Sequence, residues 1–238
     1  ATPLDEVITM SFRKETRAWL EENCPPQMRT PGGVTNGGRH AKLGKEQRAW
    51  LDRMASKGWT APTWPAKYGG GGLGVGDNQI LAEEMRRINA RAPLAGHGLT
   101  MIGPAILEFG TEEQCLEHLP KIASGEVRWC QGYSEPGAGS DVAQLTTTAT
   151  SDGEYYIVNG SKTYITGGMY SSWFSTAVRT GEKGARGVSV LLIPADLAGV
   201  TRTALDKKQG WWASDTATIY FDNVRVPKAN LLGEENQG

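Results

Sequence analysis

At 238 residues the chain is long enough for one large or two small domains. Hydrophobic residues make up 39% and charged residues 21%, the balance of a soluble globular protein. A formal net charge of −1 gives no electrostatic basis for binding nucleic acid or an anionic membrane surface.

The opening stretch, ATPLDEVITMSFRKE, carries charges within any apolar run, which argues against a signal peptide and for a cytoplasmic location, or the mitochondrial matrix in a eukaryote. Leu4, Val7, Ile8, Phe12, Trp19 and Leu20 follow helical spacing, and Pro25–Pro26 stops the pattern. After the polar loop PGGVTNGGRH, the residues Leu43, Gln47, Trp50, Leu51 and Met54 mark one face of a second helix ending near Gly58. The next segment, WTAPTWPAKYGGGGLGVG, is rich in Pro, Gly and Trp. Proline forbids a regular helix there, so an extended connection laid over a core is expected. Within it, Gly69–Gly74 formally matches the G-x-G-x-x-G dinucleotide pattern. No strand precedes it and no acidic residue follows at the required distance, so the glycines read as a lead-in to the next helix. That helix is expected from about Asp77 to Asn89, with Leu81, Met85 and Ile88 on one face. Leu94–Phe109 is apolar around Gly103–Pro104, which predicts a buried helix broken or kinked there and too short to span a bilayer. Thr111 and Gln114 form a capping box for a following helix, which Pro120 is expected to interrupt and Gly125 to end.

Beyond Glu126 the character changes. TTTATS, YYIV and SKTYIT read as strands joined by tight hairpins at Asp152–Gly153 and Asn159–Gly160, residue types that supply the positive φ such turns require. WFSTAVRT, GVSVLLIPA, VTRTALDK and ATIYFDNVRV continue as strands. The expected fold is α+β: an all-helical domain over residues 1–126, then an antiparallel β-sandwich or barrel-like domain over residues 127–238, with no flexible linker. Cys24, Cys115 and Cys130 are odd in number and widely spaced, so reduced thiols are expected. No ligand spacing joins them to His40, His97 or His118, so no metal site is expected.

Two stretches carry the chemistry. In WCQGYSEPGAGSD, Trp129–Asp141, a strand in which Val127, Trp129 and Gln131 alternate with Arg128, Cys130 and Gly132 breaks into a polar, glycine-rich loop. Its backbone N–H groups have no ladder to satisfy them. In KTYITGG, Lys162–Gly168, a second strand ends in a hydroxyl, Thr166, beside an aromatic, Tyr164. Together they offer hydroxyls and amides along one edge with an aromatic face nearby, which suits a flat, heteroatom-edged ring such as a flavin. For Ser134 or Thr166 taken singly, turn and strand-end capping is the simpler reading.

SEPGAGSD, the DG turn, NGSK and YIT, in that order, resemble the flavoprotein acyl-CoA dehydrogenases. So do the earlier WTAPTWPAKYGGGGLG and IGPAILEFGTEEQCLEHLPKIASGE and the later SDTATIYFDNVRVPKANLLGEENQG. Several separate motifs in order are more specific than one short pattern. The resemblance implies FAD as cofactor, an acyl-CoA as substrate, dehydrogenation at its α and β carbons, and an electron-transfer flavoprotein as acceptor. It also implies a homo- or hetero-oligomer. By the same resemblance, Gln131, Tyr133 and Ser134 line the flavin's pyrimidine edge through backbone groups and the Ser134 hydroxyl. Tyr164, Ile165 and Thr166 flank the ring, with Tyr164 against it and the Thr166 hydroxyl and amide at the N5/O4 edge. Ser140 falls where the family contacts the acyl-CoA and lies near the cofactor; capping of its own loop is the competing reading. Glu135 and Asp141 are acidic, but neither is taken as the base, and Asp141 is expected to accept backbone N–H bonds that fix the loop. Gly137 and Gly139 are expected to allow close backbone approach or positive φ.

The sequence also departs from the family. Tyr133 and Gln144 stand where the family has small residues, and Trp212 where many relatives have Arg. Trp211 and Trp212 otherwise read as core or interface aromatics. Family members continue past a GEE-x-x-G stretch, here Gly233–Gly238, into a helical bundle that supplies the catalytic glutamate. With that bundle absent from the sequence at hand, no catalytic residue is expected in it, and it reads as the flavin- and acyl-CoA-binding part. Two other readings stay open: a non-catalytic binding or scaffold subunit of a larger flavoprotein assembly, and an oxygen-using oxidase or monooxygenase of the same fold.

Overall fold

The structure is a computed structural model; it describes residues 3–38 and 41–238, with side chains from Met10 onward. His40 and the side chains of Leu4, Val7 and Ile8 lie outside the described residues. The chain divides into two compact units. One comprises the residues up to Gly37, Ala41–Ala95 and Leu116–Glu126; the other comprises Gly38, Gly96–Cys115 and Val127–Gly238.

The first unit is built on α1 (Pro3–Asn23), α2 (Lys45–Ser56) and α3 (Val75–Arg87). Leu20, Trp50, Met54, Trp59 and Leu81 are buried together, with Phe12, Trp19, Met85 and Ile88 packed against them. The helical spacing of these residues therefore marks the faces that leave water. A carboxylate also joins α1 to α3. Glu84, 2% exposed, accepts hydrogen bonds from Arg17 at 2.9 and 3.0 Å, Arg87 at 2.7 Å and Arg13 at 3.3 Å. The Arg17 guanidinium, helped by Arg87 and Arg13, outweighs the cost of burial and holds the Glu84 carboxyl at about 2.

Residues 57–74 are not extended but fold into a run of tight turns. The N–H groups of Tyr68, Gly71, Gly72 and Leu73 donate to the carbonyls of Pro65, Ala61, Trp64 and Pro62. Gly58, Gly69 and Gly72 supply the positive φ that lets the chain curl, and Trp59, Trp64 and Tyr68 are buried. The prolines do exclude a regular helix, but the glycines allow compaction that an extended path does not need.

Gly98–Ile102 is a widened, π-type turn that runs straight into α4 (Gly103–Phe109), so the helix is not broken at Gly103–Pro104. Pro104 lies at the second position of α4, where its fixed φ suits the helix. Nor is this helix fully buried, since Met101 is 47% and Phe109 64% exposed. Thr111 and Gln114 form the expected capping box at the start of α5 (Glu112–Ala123): the Gln114 N–H donates to Thr111 Oγ1 at 3.2 Å and the Thr111 N–H to Gln114 Oε1 at 3.1 Å. α5 runs through Pro120 rather than stopping at it. The bond that proline removes belongs to the carbonyl of Leu116, a 52% exposed residue.

The second unit holds a sheet of eight strands: β1 (Trp129–Gly132), β2 (Thr148–Asp152), β3 (Tyr155–Thr166), β4 (Trp173–Arg179), β5 (Val188–Pro194), β6 (Val200–Ala204), β7 (Thr216–Pro227) and β8 (Leu231–Leu232). Their order is β6-β7-β3-β2-β4-β5-β8, with β1 set against β4. Pairing is antiparallel except for β1 with β4 and one residue pair of β2 with β4. Cys130, Tyr156, Val158, Ile165, Phe174 and Ile219 belong to the core on one face of this sheet.

The Asp152–Gly153 hairpin is present, with Gly153 at φ 58 and Asp152 paired to Tyr155. Asn159–Gly160, by contrast, is no turn: both residues lie inside β3. Opposite them β7 bulges, so that Asp222 and Asn223 face Asn159, whose Oδ1 accepts the Asn223 N–H at 2.8 Å. Glycine is needed at position 160 because φ is 144 and a Cβ there would come within 2.7 Å of Thr147 Cα. β1 does not alternate between core and water either, since Trp129 and Cys130 are both fully buried.

Candidate functional site

The structure brings the two motif stretches together. The Thr163 N–H donates to the Ser134 carbonyl at 2.9 Å, which ties the loop after β1 to the middle of β3. One residue earlier, fully buried Lys162 donates from Nζ to the Tyr133 carbonyl at 3.1 Å and to Glu135 Oε1 at 2.8 Å. Glu135, 5% exposed, also accepts from the Thr147 N–H at 2.9 Å and from the Thr146 N–H and hydroxyl at 2.7 and 2.8 Å. Burial alone would raise its pKa, but the Lys162 ammonium and the Thr146 and Thr147 donors outweigh that and hold it at about 2. Burial pushes Lys162 down from its ordinary value, against the pull of Glu135.

Glu135, not Asp141, is therefore the carboxylate that fixes the loop; Asp141 is exposed and makes no side-chain cap. Lys162 escaped the reading of the sequence. The signal was there, because Tyr156, Val158 and Lys162 share one parity on a strand, and a lysine facing inward demands a buried acid.

Just after Lys162, β3 bulges against β7, and Tyr164 takes the left-handed conformation at φ 58. The extra residue reverses the parity. Ile165 turns into the core at 3% exposure, while Tyr164, 73% exposed, and Thr166 face outward. An exposed ring and an exposed hydroxyl thus stand on one side of β3, a few residues from the half-buried Ser134.

A cavity of about 550 Å³ reaches the loop at Tyr133 and is lined by none of Ser134, Ser140, Tyr164, Ile165 or Thr166. Its floor comes from Gln131 of β1, Ser175 of β4, Val190 of β5 and Leu232 of β8. Its roof is one face of the helix, with Met101, Ile102, Ala105 and Phe109. Tyr133, Glu234 and Gln237 also line it. The terminal stretch is held in place by several bonds, among them one from the Thr180 hydroxyl to Asn236 Oδ1 at 2.8 Å. The Tyr156 hydroxyl donates to Glu235 Oε2 at 2.5 Å, the Asn236 N–H to Ser189 Oγ at 2.7 Å, and the Gly238 N–H to the Val188 carbonyl at 2.9 Å. Burial, with Glu235 beside it, pushes the Tyr156 phenol up to about 12.

The remaining candidate positions are on the surface. Ser140 is exposed, as is Gln144. Gly137 and Gly139 have no positive φ, and no protein atom lies within 4 Å of a Cβ built on either. Trp211 and Trp212 are not core residues: they are 86% and 72% exposed.

Two family models match the chain. The acyl-CoA dehydrogenase N-terminal domain matches residues 9–126, and the acyl-CoA dehydrogenase middle domain matches residues 130–224. Among curated proteins, the acyl-CoA dehydrogenase FadE26 of Mycobacterium tuberculosis is 37% identical over 100% of this chain and 58% of its own length. The acyl-CoA dehydrogenase IpdE1 of the same organism is 35% identical over 95% of this chain and 59% of its own. Among solved structures, the ChsE4-ChsE5 complex from Mycobacterium tuberculosis has a chain of TM-score 0.71 and 35% identity, covering 100% of this chain and 58% of that one. The chain spans about three-fifths of the length of the relatives it matches.

Proposed function

Because the chain belongs to the acyl-CoA dehydrogenase family, through its N-terminal and middle domains, we propose that it is the FAD- and acyl-CoA-binding part of an enzyme that dehydrogenates an acyl-CoA at its α and β carbons. Electrons would pass to an electron-transfer flavoprotein. The observation that carries this reading is the 2.9 Å bond from the Thr163 N–H to the Ser134 carbonyl, which sets the hydroxyl-bearing loop beside outward-facing Tyr164 and Thr166.

The donor set fits a flavin. Ser134 and Thr166 offer hydroxyls toward the heteroatom edges of the ring, and the exposed Tyr164 ring offers a flat apolar face. Ile165 contributes its backbone alone, since its side chain is in the core. FAD bound there would supply the acceptor for the β hydride. The chain's own residues bind, orient and exclude water. The buried Lys162–Glu135 pair holds Tyr133 and Ser134 in register with β3, and the apolar cavity takes the acyl chain. Ser140, exposed farther along the loop, is the proposed contact for the CoA portion. No carboxylate here is assigned as the α-proton base. Glu135 is spent on Lys162, and Glu234, although it lines the cavity, is exposed. That a partner chain or further segment completes the site is supported by the chain's partial span of its relatives and by a two-component complex among the similar structures.

The test begins with an absorption scan of the purified protein for bound flavin. Ser134→Ala with Thr166→Val is expected to weaken flavin binding by roughly ten- to a hundredfold, the worth of one charge-assisted hydrogen bond, and to shift the reduction potential. Unchanged affinity and potential in the double variant would refute the assignment.

A further inference from the structure

The cavity floor carries a polar feature that flavin binding leaves unused. Ser175 is 3% exposed and lines the cavity, yet its hydroxyl has no hydrogen-bond partner among the described residues. Other buried serines of the same unit are satisfied. Ser171 donates to the Gly167 carbonyl at 2.7 Å; Ser189 Oγ lies 2.5 Å from Thr180 Oγ1 and accepts the Asn236 N–H. The Ser175 hydroxyl is not among the sealed, orphaned polar atoms of the described residues, so it opens onto the cavity, and covering it with an apolar group would cost roughly 1–3 kcal/mol. The neighbouring floor positions, Val190 and Leu232, show the aliphatic alternative.

Ser175 is not alone. The parallel register of β1 and β4 sets Gln131 directly beside it. The residues preceding each, Cys130 and Phe174, turn into the core, so Gln131 and Ser175 share the cavity face. The Gln131 carboxamide likewise has no partner among the described residues, and the flavin reading uses Gln131 only through its backbone. A donor–acceptor pair therefore sits on a floor that is otherwise aliphatic, under a roof of Met101, Ile102, Ala105 and Phe109.

From this we infer that Ser175, with Gln131 beside it, selects an acyl group bearing a keto or hydroxyl oxygen along its chain or ring over a plain hydrocarbon acyl group. The inference rests on the acyl-CoA reading of the cavity. A hydroxyl and a carboxamide each donate and accept, so either oxygen function finds a match. A hydrocarbon would leave both groups dry and unpaired, which discriminates more strongly than apolar contact alone.

The purified protein is titrated calorimetrically with CoA, with octanoyl-CoA, and with octanoyl-CoA analogues carrying one keto or hydroxyl group in the outer half of the chain. The oxygen-bearing esters are expected to bind about tenfold more tightly than octanoyl-CoA. Ser175→Ala closes that gap from both sides, weakening the oxygen-bearing esters and strengthening octanoyl-CoA. Gln131→Met, of similar volume, narrows it, and supplies a second readout where the alanine variant folds poorly. Equal affinity for all the esters in the unaltered protein, or a preference that survives Ser175→Ala, overturns the inference and leaves the acyl-CoA reading standing. Esters that bind no better than CoA, or not at all, overturn both.

Discussion

Glu135 and Lys162 are the residues on which the site's geometry hangs. Both are buried, so removing one partner strands the other's charge. Glu135→Gln is expected to cost about 3–5 kcal/mol in chemical denaturation, and Glu135→Gln with Lys162→Met to recover most of that loss. The same pair contributes to the acid limb of stability, together with Glu84, which is also held at about 2. Because the folded-state pKa of Glu135 lies at about 2, below its ordinary 4.5, its contribution is fully present above the ordinary value and is lost as pH falls toward 2. Glu135→Gln should reduce the slope of that limb and leave the share carried by Glu84, and a stability profile from pH 6 downward that keeps its full slope in the variant would contradict the assignment. The cysteines give a second check at this scale. Cys24, Cys115 and Cys130 are all buried, and burial pushes the Cys130 thiol up to about 12. A thiol-reactive disulfide reagent at neutral pH should modify Cys130 only after denaturation, and rapid labelling of it in the folded chain would show the core to be open. Glu234 can be excluded as base directly: if anaerobic acyl-CoA bleaches the flavin-loaded protein, Glu234→Gln should bleach it equally.

Among the elements, β3 shows how one strand carries two jobs. Its first half is core and hairpin, its second half the edge proposed for the flavin, and two bulges in its pairing with β7 make the change. Gly160 stands at the first bulge, where a Cβ would meet Thr147 Oγ1 at 2.5 Å. Gly153, in the hairpin, also has positive φ but faces open space. Gly160→Ala should therefore destabilise by roughly 2–4 kcal/mol, the sum of overpacking and backbone strain, against about 1 kcal/mol for Gly153→Ala. Equal losses in urea denaturation would mean that strand and turn had been misplaced. The capping box of α5 is a milder case, and Thr111→Ala should cost about 1 kcal/mol.

For the whole molecule, the exposed aromatics matter most. Trp211 and Trp212, with Tyr170 at 69% exposure, place large apolar surfaces on water in the β unit. In the proposed oligomer these residues are candidates for a covered surface. Replacing Trp211 and Trp212 with serine is expected to lower self-association in sedimentation experiments, while leaving the unfolding midpoint within about 0.5 kcal/mol, as for other exposed positions. An unchanged association state would remove these residues from any interface.

What the sequence determined by itself follows from local rules. The spacing of Trp50, Leu51 and Met54 makes an amphipathic face whatever it packs on, and Thr111 with Gln114 caps a helix within four residues. The strands of the second half were legible from β-branched runs and turn residues, and the paired motifs marked two stretches that the fold brings together. Position along the chain could not say more, because the remaining features depend on what meets what. Asn159–Gly160 has the composition of a turn, and only the bulge of β7 opposite it makes it strand. Tyr164 has no local reason to adopt φ 58, yet that conformation turns Ile165 inward and leaves Tyr164 and Thr166 on the open face. Glu135 and Asp141 look alike in the sequence; the inward parity of Lys162 chose between them. Ser175 was invisible as a site because its meaning comes from Gln131 on the adjoining strand and from a helix some seventy residues earlier that roofs them both. Burial is a property of the folded chain, and the desolvation that gives these polar groups their energy does not exist until the strands have closed around them.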